Sequence, residues 1–186
     1  MKALSDSTTP QGVVAVARRP DTSLSALPAD ASLVLMLVNV GDPGNAGTLV
    51  RSAAAAGADA VVFATGSVDP FSPKTVRASA GLVARAPVVT AGLDGAVERL
   101  RAASITLIGA EASAERSCYE VDLSARIAIV VGNEAAGLPP GARTAVDTTV
   151  SIPMPGGVES LNVGIAGSLL LYEAVRQRRY PDAAHD

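Results

Sequence analysis

The residues of this chain whose types and spacing suit chemistry are Asn45, Arg51, Glu134, Ser160 and Asn162. Asn45 and Arg51 follow the glycine-rich turn Gly41-Asp42-Pro43-Gly44. Glu134 ends the polar triplet Gly132-Asn133-Glu134, set directly after the wholly apolar run 127–131. Ser160 and Asn162 come at the end of a stiff Pro/Gly segment that starts at Ile152-Pro153-Met154-Pro155-Gly156-Gly157. One carboxylate, one guanidinium, one hydroxyl and two amides can bind, orient and stabilise charge, but they lack an imidazole. The single histidine, His185, is the penultimate residue, so Ser-His-Asp or Cys-His catalysis and histidine zinc sites are excluded within this chain. The one cysteine, Cys118, makes no disulfide framework or CxxC metal site and reads as a small buried hydrophobe. No metal site is expected.

These residues need elements to position them. The chain has 186 residues, 48% hydrophobic but only 3% aromatic, so its core must be built from Ala, Val, Leu and Ile. That length buries a core in one domain without disulfides. The apolar run 33–38 reads as a parallel strand covered on both faces. An Ala-rich helix over 46–56 follows, stopped by Gly57, with Asn45 at its start and Arg51 on its second turn. The alternation continues with strand 60–64, a helix over 73–79 with Pro in its first turn, and strand 87–90. A helix capped by Asp94 runs to about 102, then strands at 105–108 and 127–131, a short helix at 139–145, strand 149–152 and a long helix at 161–178. Such alternation gives an α/β domain, a parallel sheet flanked by helices. In these sheets ligands bind beyond the carboxyl ends of the strands, where residues 132–134 fall. Ser160 reads as the N-cap of the last helix; Asn162, a mediocre helix former in an apolar stretch, has less structural reason to be there. Residues 1–30, with one apolar piece at 12–17, read as a linker or N-terminal extension, 31–180 as the folded domain and 181–186 as a tail.

Nucleotide-binding loops fit poorly. The turn from Gly41 to Gly47 is spaced G-x-x-G-x-x-G rather than G-x-G-x-x-G, and Asp59 precedes the second strand instead of ending it. No Lys-Ser/Thr pair completes a phosphate loop.

Three segments taken together resemble the SpoU/TrmH family of RNA ribose 2′-O-methyltransferases, of the SPOUT class. They are Asn45-Ala46-Gly47-Thr48-Leu49-Val50-Arg51-Ser52-Ala53 with Arg77-Ala78-Ser79-Ala80-Gly81; Val131-Gly132-Asn133-Glu134-Ala135-Ala136-Gly137-Leu138; and Ser151-Ile152-Pro153-Met154-Pro155-Gly156-Gly157-Val158-Glu159-Ser160-Leu161-Asn162-Val163-Gly164-Ile165-Ala166. Order and spacing match over roughly residues 31–178. Alternation alone implies an open doubly wound sheet, and chains rarely knot. The resemblance implies instead a C-terminal deep trefoil knot whose loops hold S-adenosylmethionine. By position, Gly132, Ile152 and Leu161 would contact that cofactor, with Asn133 and Met154 nearby and the strand end at Gly109 closing a wall.

The resemblance also implies methyl transfer to a ribose 2′-hydroxyl of ribosomal or transfer RNA. A hydroxyl is a weak nucleophile, so in-line positioning is the main task, worth up to about 7–11 kcal/mol. The family pattern gives Arg51 to the ribose; because an arginine side chain stays charged, an electrostatic clamp on a developing alkoxide or a phosphate is favoured over a base. Glu134, Ser160 and Asn162 would complete a hydrogen-bond network and Asn45 would orient Arg51 or the ribose.

Family members act as homodimers, and Gly164 and Gly167 in the last helix imply close packing, against a second chain or against this chain's own knot. The run Arg176-Gln177-Arg178-Arg179 either meets RNA phosphates or caps a solvated helix end. Many members carry a small N-terminal RNA-recognition domain, for which this chain has no room; a longer natural protein is one reading. A net charge of −3 requires any basic RNA surface to be local or shared. With a single cysteine, a reducing, cytoplasmic location is expected, and no membrane span is expected, since no apolar run reaches the ~18 residues needed. The alternatives are a catalytically idle knot that binds RNA or cofactor and, more weakly, a nicotinamide-dependent enzyme.

Overall fold

The chain alternates strand and helix, except that strand 127–131 follows strand 106–110 with no helix between them. The computed structural model describes residues 16–180; most of the apolar piece at 12–17, the tail 181–186 and His185 lie outside the described residues. The strands are β1 (Leu33–Leu37), β2 (Ala60–Ala64), β3 (Val88–Ala91), β4 (Thr106–Ala110), β5 (Ile127–Val131) and β6 (Thr148–Val150). The helices are α1 (Pro43–Ala56), α2 (Pro73–Ala78), α3 (Leu93–Ala102), α4 (Pro140–Ala145) and α5 (Val163–Arg179).

All six strands run parallel in the order β3-β2-β1-β5-β4-β6. Every residue of β1, β2 and β5 is buried, because side chains from both faces enter a core. On one face Leu35, Leu37 and Ile129 pack with Leu49 of α1 and Leu170 and Leu171 of α5. On the other, Val34, Met36 and Val130 pack with Leu100 of α3 and Ala142 of α4.

Helix starts differ from the sequence expectation. α1 begins at Pro43, three residues early: Asp42 accepts from the Asn45 backbone N–H at 2.8 Å, and Pro43 enters the first turn with its torsion preset. Arg51 therefore stands on the third turn. α3 takes Gly92 as its N-cap, so Asp94 lies inside the first turn. α5 is capped by Asn162 rather than Ser160; its side-chain oxygen accepts from Ile165 N at 3.2 Å. β6 ends at Val150, short of 152.

The α1–α5 contact is a close approach. A Cβ on Gly167 would collide with Leu49, and one on Gly164 would touch Thr48 at 3.4 Å. The two glycines thus serve packing within this chain. The connection between β4 and β5 is tied to the C-terminal segment at two places. Arg116 O and Cys118 N pair with Ser151 N and O at 2.9 and 2.8 Å, just after β6. Near the end of α5, Gln177 accepts from Leu123 N at 2.7 Å and Arg178 donates to Ala125 O at 2.6 Å and Ser32 O at 2.9 Å. This double attachment is consistent with the expected trefoil threading. Docking also starts before residue 31: Thr90 N donates to Thr22 O at 2.7 Å, and Leu27 is buried. Among the described residues no helix is long and apolar enough to cross a membrane.

Candidate active site

Beyond the carboxyl ends of β4, β5 and β6 lies a cavity of about 330 Å³. Its apolar wall includes Val131, Ile152, Met154, Leu161, Val163 and Ala166, and its polar groups are Glu111, Ser113, Asn133, Glu134, Arg143 and Ser160. The loop after β5 is closed on itself: Asn133 N donates to Gly137 O at 2.8 Å and Gly137 N returns to Asn133 O at 2.9 Å. The Asn133 side-chain oxygen accepts from Ala135 N and Ala136 N, at 2.9 and 3.0 Å. Gly132 lies so near the Gly137 carbonyl that a Cβ would overlap it. Only glycine lets the strand end and its own loop meet there.

At the mouth of the cavity three side chains form a relay. Asn162 Nδ2 donates to Asn45 Oδ1 at 2.9 Å, and Asn45 Nδ2 donates to Glu134 Oε1 at 3.0 Å. Asp42 N also points to Glu134 Oε1, at 3.4 Å. The N-cap geometry of both helices serves this join, since α1 presents Asn45 in its first turn and α5 presents Asn162 at its cap. Burial disfavours the charge on Glu134, but hydrogen bonds from Asn45 and nearby backbone N–H groups outweigh it and hold the carboxyl below its ordinary range. The relay's acceptor end is thus a carboxylate kept ionised by amides.

Of the residues singled out in the sequence, Asn45, Glu134 and Asn162 are brought into direct contact. Gly132, Asn133, Ile152, Met154, Ser160 and Leu161 line the cavity. Gly109 does not: it faces Leu138, Thr149 and Val146, so close that a Cβ would meet Leu138 Cδ1 at 2.7 Å, and its successors Ala110 and Glu111 form the wall. Arg51 stands exposed on α1, outside the cavity, with no hydrogen bond or ion pair among the described residues. Sequence reasoning missed Glu111 and Arg143, which pair across the cavity rim (Arg143 Nε to Glu111 Oε1, 2.8 Å) from positions far apart in the chain. No local pattern marks them.

An all-parallel sheet whose strand-end loops wall a cavity, with a carboxylate relay beside it, is the arrangement in which α/β proteins bind small ligands. The chain belongs to the SpoU rRNA Methylase family, whose model matches residues 32–172. It is 37% identical over 170 residues to the 23S rRNA (guanosine(2553)-2′-O)-methyltransferase RlmP of Bacillus subtilis, covering 91% of this chain and 67% of that protein. Its identity with the 23S rRNA (guanosine-2′-O-)-methyltransferase RlmB of Xanthomonas axonopodis pv. citri is 43% over 151 residues, or 81% of this chain and 61% of the relative. Among solved structures, the SpoU methyltransferase AviRb of Streptomyces viridochromogenes in complex with the cofactor AdoMet matches with a TM-score of 0.77 at 38% identity, covering 86% of this chain and 66% of that one. The chain thus spans between 52% and 67% of the length of the curated relatives it matches.

Proposed function

We propose that this chain transfers a methyl group from S-adenosylmethionine to a ribose 2′-hydroxyl of RNA, with ribosomal RNA the first substrate to test and transfer RNA the second. The observation that carries this reading is the Asn162–Asn45–Glu134 relay at the mouth of the cavity walled by the loops after β5 and β6. The cavity suits the cofactor: Ile152, Met154 and Leu161 offer apolar surface to a base, while the Gly132–Gly137 cradle leaves no space for a side chain where backbone must approach. Bound there, S-adenosylmethionine would supply a methyl group already activated by its sulfonium.

What remains for the protein is to align the hydroxyl and manage charge. Glu134, ionised and fixed by Asn45, orients the polar groups that enter the mouth, and Ser160 adds a hydroxyl on the opposite loop. Arg51, exposed outside the cavity, is free to meet the RNA and stabilise the developing alkoxide or an adjacent phosphate. The intact relay favours catalysis over an idle binding module. A homodimer is the active assembly in this reading, because Ile165, Leu169 and Tyr172 form an exposed apolar stripe on α5. The enzyme would act in the cytoplasm.

The test is transfer of label from S-adenosylmethionine to RNA from a strain lacking the gene, followed by mapping of the ribose methyl. Label appearing at a 2′-hydroxyl supports the proposal. Label in a base, or no calorimetric binding of the cofactor at millimolar concentration, overturns it.

A further inference from the structure

Outside the relay, the cavity holds one more carboxylate that the proposed chemistry leaves unused. Glu111 begins the connection after β4, and its backbone N–H is fixed on Val150 O at 3.0 Å. Its side chain is only 10% exposed, whereas its partner Arg143, on α4, is 58% exposed. Both Arg143 contacts, through Nε and a terminal nitrogen, fall on the same oxygen, Oε1. The other oxygen, Oε2, has no protein partner among the described residues, and no fully buried polar side-chain atom among them is left unpaired. Oε2 is therefore reachable, and the cavity that Glu111 lines gives that access.

An acceptor in this state selects its donor. Arg143 already balances the charge, so an ammonium group reaching Oε2 would also meet the guanidinium across the carboxylate. Neutral hydroxyls would not. Two adjacent hydroxyls on one ring can share a carboxylate oxygen, and a charged acceptor strengthens such bonds. We infer that Glu111 is the residue that recognises the ribose diol of the adenosine moiety in this cavity, with Arg143 holding its carboxylate in place. This rests on the S-adenosylmethionine reading given above.

The experiment is a calorimetric cycle pairing wild type and Glu111→Gln with S-adenosylhomocysteine and its 2′,3′-dideoxy analogue. S-adenosylhomocysteine is expected to bind the variant about 10-fold or more weakly, as for loss of a charge-assisted hydrogen bond. The dideoxy analogue, which has neither hydroxyl, is expected to bind both proteins alike. 5′-Methylthioadenosine, which keeps the diol and lacks the amino acid, is expected to show the same loss as S-adenosylhomocysteine. Equal loss for the dideoxy analogue would assign Glu111 a structural role, and no loss with 5′-methylthioadenosine would move the contact to the amino-acid end; either overturns the inference. No binding of S-adenosylhomocysteine to wild type would overturn the cofactor reading itself. Arg143→Met, which removes the guanidinium that holds Glu111, is expected to lower the preference for the diol, with its unfolding midpoint reporting whether α4 stays in place; an unchanged preference would overturn the role given to Arg143.

Discussion

Glu134 carries its charge with amides as neighbours, and that has a measurable signature. Its carboxyl is held below the ordinary glutamate value of about 4.3, so the folded form releases its proton more readily than the unfolded chain. Stability from this group is then present above about pH 4.3 and lost as pH falls through the lower folded value. Urea midpoints of wild type and Glu134→Gln should therefore keep a constant gap from pH 7 to about pH 5 and converge only in stronger acid. Convergence near neutrality would place the Glu134 charge in a different environment. Arg51 makes the complementary case. It lies outside the cavity, so Arg51→Ala should leave calorimetric cofactor affinity unchanged while lowering kcat by about 10²–10³-fold, the usual effect of removing one stabiliser of transition-state charge. A parallel loss of cofactor binding would show that Arg51 supports the pocket instead. Ser160 shows where residue-level reading ended. Serine and asparagine cap helices about equally well, and Asn162 took the cap because Asn45, on another helix, stands 2.9 Å from it. Glu111 and Arg143 left no local trace at all, since only the fold brings them together.

At the scale of elements, strands were legible because parallel strands buried on both faces are uninterrupted apolar runs; β2 and β5 fall where those runs fall. The same uniformity hid the strand order, as apolar runs carry no mark of which neighbours which. The start of α1 was hidden for a different reason: Pro43 and Gly44 resemble a turn, yet an N-capping aspartate converts them into a first helical turn. The helix contact that joins the two halves of the relay rests on small residues. Gly167 lies against Leu49 and Val131, and Ser168 donates to Ser52 Oγ at 2.6 Å. Gly167→Val should push α5 away from α1 and destabilise the protein by about 1–3 kcal/mol in urea unfolding, as overpacking does. Gly57→Ala, at the αL end of α1 with open space around it, should cost less, about 1 kcal/mol from its backbone torsion alone. If the two variants prove equal, the α1–α5 contact is looser than the geometry states.

For the whole molecule, the question is why so apolar a helix leaves one side in water. α5 packs Leu170, Leu171 and Ala174 into the core but holds Ile165, Leu169 and Tyr172 about half exposed, at intervals of four and three residues. That spacing makes a continuous stripe beside the core-facing one. Fully burying a large apolar side chain is worth about 1.5–3 kcal/mol, so covering the remaining half of each would add about 1 kcal/mol per residue and chain before the cost of association. The stripe runs on from Asn162 and lies on the same helix, so a partner seated there would also border the mouth of the cavity. Light scattering should accordingly report a dimer for the wild type and a monomer for Ile165→Glu/Leu169→Glu, with circular dichroism unchanged because neither residue is buried. If each active site needs both chains, the monomer should lose RNA methylation while keeping a calorimetric heat with S-adenosylhomocysteine, because the residues that line the proposed cofactor cavity all belong to one chain. A variant that stays dimeric would move the interface elsewhere; a monomer with full activity would make the site complete in one copy.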